Sequence, residues 1–307
     1  MALNICKCIP LKVLVCWLIA GNYVLAQDIT ERVDHRYAEN DGVRIHYAVL
    51  GSGPLIVMVH GFPDYWYTWR YQMEVLAEDY TVAALDTRGY NLSDKPEGVE
   101  NYTLEILVED VAAVISAQGE DSATVVGHDW GGGIAWSFAA LKPEMTDRLI
   151  ILNLPHPRGL VRELSNFGQQ HDNSAYARNF QESNSHERLT APALAAALSG
   201  GDQELQSAYE QAFGRSSFDS MMNYYRANYP RDPYTSGPFA ELPEVKAPVL
   251  QFHGLTDTAL LPNALNNTWD FLASDWTLVT IPGVSHWPHH AVPEKVSNMM
   301  KAWLELY

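Results

Sequence analysis

The sequence predicts an α/β protein: a mostly parallel, doubly wound sheet with a block of helices inserted late in the chain. Three observations carry that expectation. Six short apolar runs recur with amphipathic, helix-length segments between them, the pattern of strands buried on both faces and joined by right-handed crossovers. The alternation stops from about Pro157 to Leu242 and then resumes. The chain has 307 residues, 47% of them hydrophobic, enough for one large domain that carries an insertion.

The chain opens on MALNICKCIPLKVLVCWLIAGNYVLAQ, where Lys7 and Lys12 precede an apolar run from Val13 to Ala20 and Val24-Leu25-Ala26 offers the residues a signal peptidase reads. A signal peptide over 1–26 and export to a periplasm or the exterior are expected. Stable membrane insertion of the mature chain is not, because the run falls short of the ~20 residues that span a bilayer. Cys6, Cys8 and Cys16, the three cysteines of the chain, all lie in this segment. The mature protein would then have no disulfide, cysteine nucleophile or cysteine metal site. The formal charge of −17 becomes −19 once the segment's two lysines leave, which argues against nucleic acid or an anionic membrane as partner.

HRYAENDGVRIHYAVLGSG places two alternating runs around Asp41-Gly42 and predicts a β-hairpin. Buried strands are expected over Leu55–His60, Tyr80–Asp86, Ala123–Gly127, Arg148–Leu154, Ala247–Gly254 and Trp276–Gly283. Helices are expected over Trp69–Ala77, Thr103–Gln118, Gly132–Lys142 and the last fourteen residues from Glu294. The polar stretch rich in Ala, Asn, Gln, Tyr and Ser reads as helices and loops without a buried strand. The domain reading is thus a core of 27–157 and 243–307 with a helical cap over 158–242.

ATVVGHDWGGGIAW runs from an apolar strand through a sharp turn into a helix, with small residues on both sides of Asp129. Such a turn holds its central residue in a strained conformation and lifts the side chain clear of the sheet's C-terminal edge. The helix N-terminus behind it favours an ionised carboxylate. Asp129 therefore reads as a carboxylate nucleophile.

HGFP (His60–Pro63), WYTWRYQ, LDTRGYNLSDKP (Leu85–Pro96) and GHDWGG together resemble the α/β-hydrolase superfamily, and within it the epoxide hydrolases, from about Val33 to the C-terminus. The resemblance implies an α/β-hydrolase fold and a chain order of nucleophile, acid and base. Asp257, in HGLTDTALL after a buried strand, is then the acid, and His286, in IPGVSHWPHHAVPE, the general base. Asn153 stands where some relatives keep the acid and cannot carry a charge. By the same resemblance the Phe62-Pro63 bond is cis, and the N–H groups of Phe62 and Trp130 form an oxyanion hole beside the substrate.

The cap decides between chemistries. Tyr176, followed by Phe180 and Gln181, and Tyr225, just before Arg226, resemble the two tyrosine donors of epoxide hydrolase caps, with Tyr224 as the alternative to Tyr225. A neutral phenol can protonate the alkoxide that an opening epoxide creates. The expected activity is hydrolysis of a small-molecule epoxide by water to a vicinal diol, with no cofactor and no metal. His289 and His290 suggest a metal site with His286, but no carboxylate at matching spacing accompanies them. Haloalkane dehalogenases share the aspartate nucleophile and a tryptophan like Trp130, yet here apolar Phe62 takes the place of their usual second halide donor. Fluoroacetate dehalogenases carry arginine where this chain has Trp130. A non-catalytic secreted protein of the same fold is the alternative outside enzymology. Asn91, Asn101 and Asn266 head glycosylation sequons that matter on a eukaryotic secretory route.

Overall fold

The computed structural model describes residues 28–307. The expected signal peptide and the three cysteines lie outside the described residues. Asp34–Asn40 (β1) and Val43–Gly51 (β2) form the hairpin, and its turn takes positive φ at Asp41 (49°) and Gly42 (79°), the conformation that Asp-Gly favours. Leu55–Val59 (β3), Thr81–Leu85 (β4), Ala123–His128 (β5), Thr146–Leu152 (β6), Val249–Gly254 (β7) and Trp276–Ile281 (β8) follow as expected. The sheet runs β1-β2-β4-β3-β5-β6-β7-β8, with β2 antiparallel to its neighbours and the pairs from β4 onward parallel.

Every residue of β3, β5 and β7 is buried, which is why those segments read as unbroken apolar runs. The edge strand β8 is only half-buried and keeps the alternation of a one-faced strand. Helices Arg70–Leu76 (α1), Leu104–Ala117 (α2) and Trp130–Leu141 (α3) make the crossovers. Between β6 and β7 the chain forms Pro157–Ser165 (α4), Gln169–Asn173 (α5), Ala175–Phe180 (α6), Ala191–Ser199 (α7), Gln203–Arg215 (α8) and Phe218–Asn228 (α9). Pro288–Ala291 (α10) and Pro293–Leu304 (α11) close the chain; α11 packs on α1, while α2 packs on α3. Among the described residues no helix is long and apolar enough to cross a membrane.

The order β4-β3-β5 fixes where chemistry can occur. The chain leaves β3 toward β4 and leaves β5 toward β6, so the two loops diverge and open a crevice at the carboxyl ends of β3 and β5. Asn91 of the first sequon is buried, its amide donating to Asp86 at 2.8 Å and accepting from Arg215 at 2.7 Å, and leaves no room for a glycan.

Candidate active site

Asp129 sits in that crevice on the turn between β5 and α3, at φ 52° and ψ −122°. A non-glycine residue there stores about 1–3 kcal/mol of strain, which the surrounding packing must hold. The neighbours show how: a Cβ on Gly127 would come within 2.2 Å of the Gly131 carbonyl oxygen, and one on Gly131 within 2.0 Å of that of Val59. Gly61 has the same role from β3, since a Cβ there would meet the Asp129 carboxylate oxygen at 2.4 Å. These glycines let three backbones converge on one carboxylate.

The Phe62 N–H donates to Asp129 Oδ1 at 2.8 Å. The Phe62-Pro63 peptide is cis, as the resemblance implies. The Trp130 N–H stands at the first turn of α3, directly after the nucleophile, and makes no hydrogen bond among the described residues.

His286 lies between two carboxylates, with Nε2 at 3.3 Å from Asp129 Oδ2 and Nδ1 at 2.7 Å from Asp257 Oδ2. Asp257 is fixed from its other side. Its Oδ1 accepts the N–H groups of Ala259 at 2.8 Å and Leu260 at 3.1 Å, and its Oδ2 also accepts the Asn153 amide at 2.8 Å. Asp257 must therefore accept at Nδ1, which holds one imidazole proton there and leaves Nε2, toward Asp129, as the nitrogen that gains and loses the second. Burial acts against charge on all three groups, but the mutual contacts win: Asp129 and Asp257 are held below the usual carboxylate range, and His286 is raised to about 10. Behind the ring, His128 Nε2 donates to the His286 carbonyl at 2.8 Å; burial, and then the charge on His286, push His128 down to about 3 and keep it neutral.

The two tyrosines of the cap reach the same place. Tyr176 on α6 and Tyr225 on α9 line both cavities that border Asp129. The Tyr225 ring stands edge-on to Trp130, Phe180 and Phe62 at 4.9, 5.1 and 5.9 Å between centroids. Burial, and the Asp129 charge among the lesser causes, raise both phenols well above their usual value, so they stay protonated. Tyr224 points away and donates to the Arg88 carbonyl at 2.8 Å. The choice between Tyr224 and Tyr225 as a residue beside the nucleophile falls to Tyr225.

His289 and His290 do not gather around His286. They meet Asp64, which lies 225 positions earlier and which sequence spacing did not connect to them. The His289 and His290 Nε2 atoms lie 2.9 and 2.8 Å from the Thr68 hydroxyl, which donates to Asp64 at 2.8 Å. The hydroxyl stands among all three side chains and links them in a buried hydrogen-bond network. Two further residues, named in the sequence only by their positions, take roles that the sequence did not give. Asn153, at φ 38°, spends its amide on Asp257 and accepts the Gly254 N–H at 2.9 Å. Gln181 donates to the carbonyls of Tyr225 at 3.1 Å and Tyr229 at 2.9 Å, tying α6 to α9 and so one tyrosine to the other. Its position just after Phe180 was the available signal.

The model of the alpha/beta hydrolase fold matches residues 54–291. The chain belongs to the α/β-hydrolase family. Within it, the chain is 34% identical over 298 residues to Epoxide hydrolase 1 of Caenorhabditis elegans, covering 91% of this chain and 72% of that protein. An AB hydrolase superfamily protein of Bacillus subtilis, YfhM, is 32% identical over 88% of this chain and 97% of its own. Among solved structures, the M145A mutant of an epoxide hydrolase from Bacillus megaterium superposes with a TM-score of 0.82 at 33% identity, covering 88% of this chain and all of that one. The α/β-hydrolase fold and the likeness to epoxide hydrolases expected from HGFP and GHDWGG are both borne out, and the chain is a hydrolase of this type.

Proposed function

We propose that this α/β hydrolase opens epoxides to vicinal diols through an ester formed on Asp129. The observation that carries the reading is the placement of two phenols, Tyr176 and Tyr225, around the cavities that Asp129 borders. Epoxide opening needs a nucleophile on one side of a C–O bond and a proton source on the other. The neighbours named epoxide hydrolases support it at the level of the family.

An Asp129 carboxylate oxygen attacks one epoxide carbon, the carbon–oxygen bond of the ring breaks, and the electron pair passes to the ring oxygen. Tyr176 and Tyr225 hydrogen-bond that oxygen and supply its proton. Esterification removes the Asp129 charge, one of the two that raise His286, so the imidazolium gives up its Nε2 proton through solvent to the phenolate left by the first step and becomes a competent base. His286 takes a proton from water, the hydroxide adds to the Asp129 carboxyl carbon, and the Phe62 and Trp130 N–H groups hold the resulting oxyanion. Collapse expels the glycol oxygen, which takes the proton of the new Asp129 carboxyl group, giving the diol and restoring the carboxylate beside the His286 imidazolium. Asp257 fixes the tautomer and offsets the imidazolium charge.

Diol formation from a panel of aryl and aliphatic epoxides, followed by chromatography, tests the reading. Halide release from bromoalkanes without diol formation would support the dehalogenase instead. The export signal over 1–26 is part of the same proposal, and a mature protein whose N-terminal residue is Gln27 is its expected mark.

A further inference from the structure

Two cavities of very different size meet at the nucleophile. Asp129, Tyr176 and Tyr225 line both. The outer one holds about 330 Å³, is bordered by Phe62, Pro63, Phe180 and Trp287, and opens to solvent. The inner one, walled by Gly133, Leu154, Leu160, Tyr229, Phe239 and Leu260, leaves only about 30 Å³ free. That is space for a group of about the size of one water or one methyl. Gly133 is part of the reason that any space remains, since a Cβ there would lie 3.1 Å from Phe239 Cζ and 3.5 Å from Leu154 Cδ2.

An epoxide attacked by Asp129 while its oxygen faces the two tyrosines must send its two carbons' substituents in opposite directions, one inward and one outward. From this asymmetry, and resting on the epoxide-opening reading above, we infer that the substrates are epoxides with hydrogen or at most methyl on one carbon and a long apolar or aryl group on the other. The outer cavity supplies no arginine or lysine among its lining residues, and the chain's formal charge is −17, so the outer group carries no negative charge. Phe239 is the wall that sets the inner limit. It comes from the segment between α9 and β7, and its ring stands 6.1 Å from that of Trp130.

Three isomers with the same atoms test this: 1,2-epoxyoctane, trans-2,3-epoxyoctane and trans-4,5-epoxyoctane, which place hydrogen, methyl and propyl inward. Misfit by a methylene or more in a packed apolar site costs about tenfold or above. The native protein should show kcat/KM for the 4,5-isomer at least about tenfold below that for the 1,2-isomer. Phe239→Ala should shrink the gap to within about threefold. Gly133→Ala, which fills the chamber instead of emptying it, should bring the 2,3-isomer down to the level of the 4,5-isomer, and it reads the same wall if Phe239→Ala does not fold. Equal turnover of the 1,2- and 4,5-isomers by the native protein, or a ratio of the 2,3- to the 1,2-isomer unmoved by Gly133→Ala, overturns the inference while leaving epoxide opening intact. No diol from any isomer, with Asp129 unmodified by mass, overturns the activity itself.

Discussion

Asp257→Asn isolates the tautomer argument. The new side chain keeps the shape of the old one but has one acceptor oxygen, and the structure decides where that oxygen goes. The Oδ1 position already accepts the Ala259 and Leu260 N–H groups at 2.8 and 3.1 Å, so the amide oxygen belongs there. The NH2 group then faces both His286 Nδ1, 2.7 Å away, and the Asn153 NH2, 2.8 Å away. Two amide donors confront each other, and His286 must accept at Nδ1 and carry its proton on Nε2, where a base needs a lone pair. A wrong tautomer of this kind costs ~10⁴ in turnover in a Ser-His-Asp hydrolase, about 5.5 kcal/mol at 1.36 kcal/mol per tenfold. Because the first step here uses Asp129 and the phenols, the loss should fall on ester hydrolysis. Rapid-quench mass spectrometry should show Asp129 modified at a rate within about tenfold of the native protein, followed by hydrolysis slowed by ~10³ or more. Equal slowing of both steps, or hydrolysis slowed less than tenfold, would refute the assigned role of Asp257.

Tyr176→Phe and Tyr225→Phe should each slow ester formation by about 10²-fold, the lower end for removal of a general acid, with thermal stability little changed because the ring packing stays in place; stopped-flow fluorescence reads the first and calorimetry the second. Tyr224→Phe should do the reverse, costing about 1 kcal/mol through the bond to the Arg88 carbonyl with ester formation intact. His286 is raised in the folded state, so its protonated form contributes stability that is present below about pH 6.5 and fades as pH rises through about 10. Denaturation midpoints between pH 7 and 10 should therefore fall more steeply for the native protein than for His286→Gln, and equal slopes would contradict the ion-pair geometry. Gly131→Ala, whose Cβ would sit 2.0 Å from the Val59 carbonyl oxygen, should displace the turn and abolish ester formation, checked by the same mass measurement.

The parts of this site that could be read in the sequence are those in which local backbone geometry dictates residue type. Asp129 was legible because its strained turn demands small residues at Gly127 and Gly131, and that demand leaves a short pattern. Asp257 and His286 were legible through their places after buried strands, together with the family's chain order. Asn153 could be placed but not understood: its amide bridges Asp257 and the Gly254 N–H, more than 100 residues away, and no local pattern records such a bond. The Asp64, Thr68, His289 and His290 network was hidden for the same reason, since its two halves lie more than 200 residues apart in the chain. The cap helices were foreseen as a class only. Their polar composition gives no strand period, while their boundaries depend on long-range ties such as Gln181 to Tyr225 and Tyr229.

The covalent role of Asp129 is the central claim, and a single turnover in water enriched in heavy oxygen addresses it most directly. With enzyme in excess over epoxide, the account predicts that the label enters the Asp129 carboxylate and that the first diol formed is unlabelled, because the diol's new oxygen comes from the protein. A diol that carries the label from the first turnover, with Asp129 unlabelled, would mean that water attacks the epoxide itself and would contradict the account.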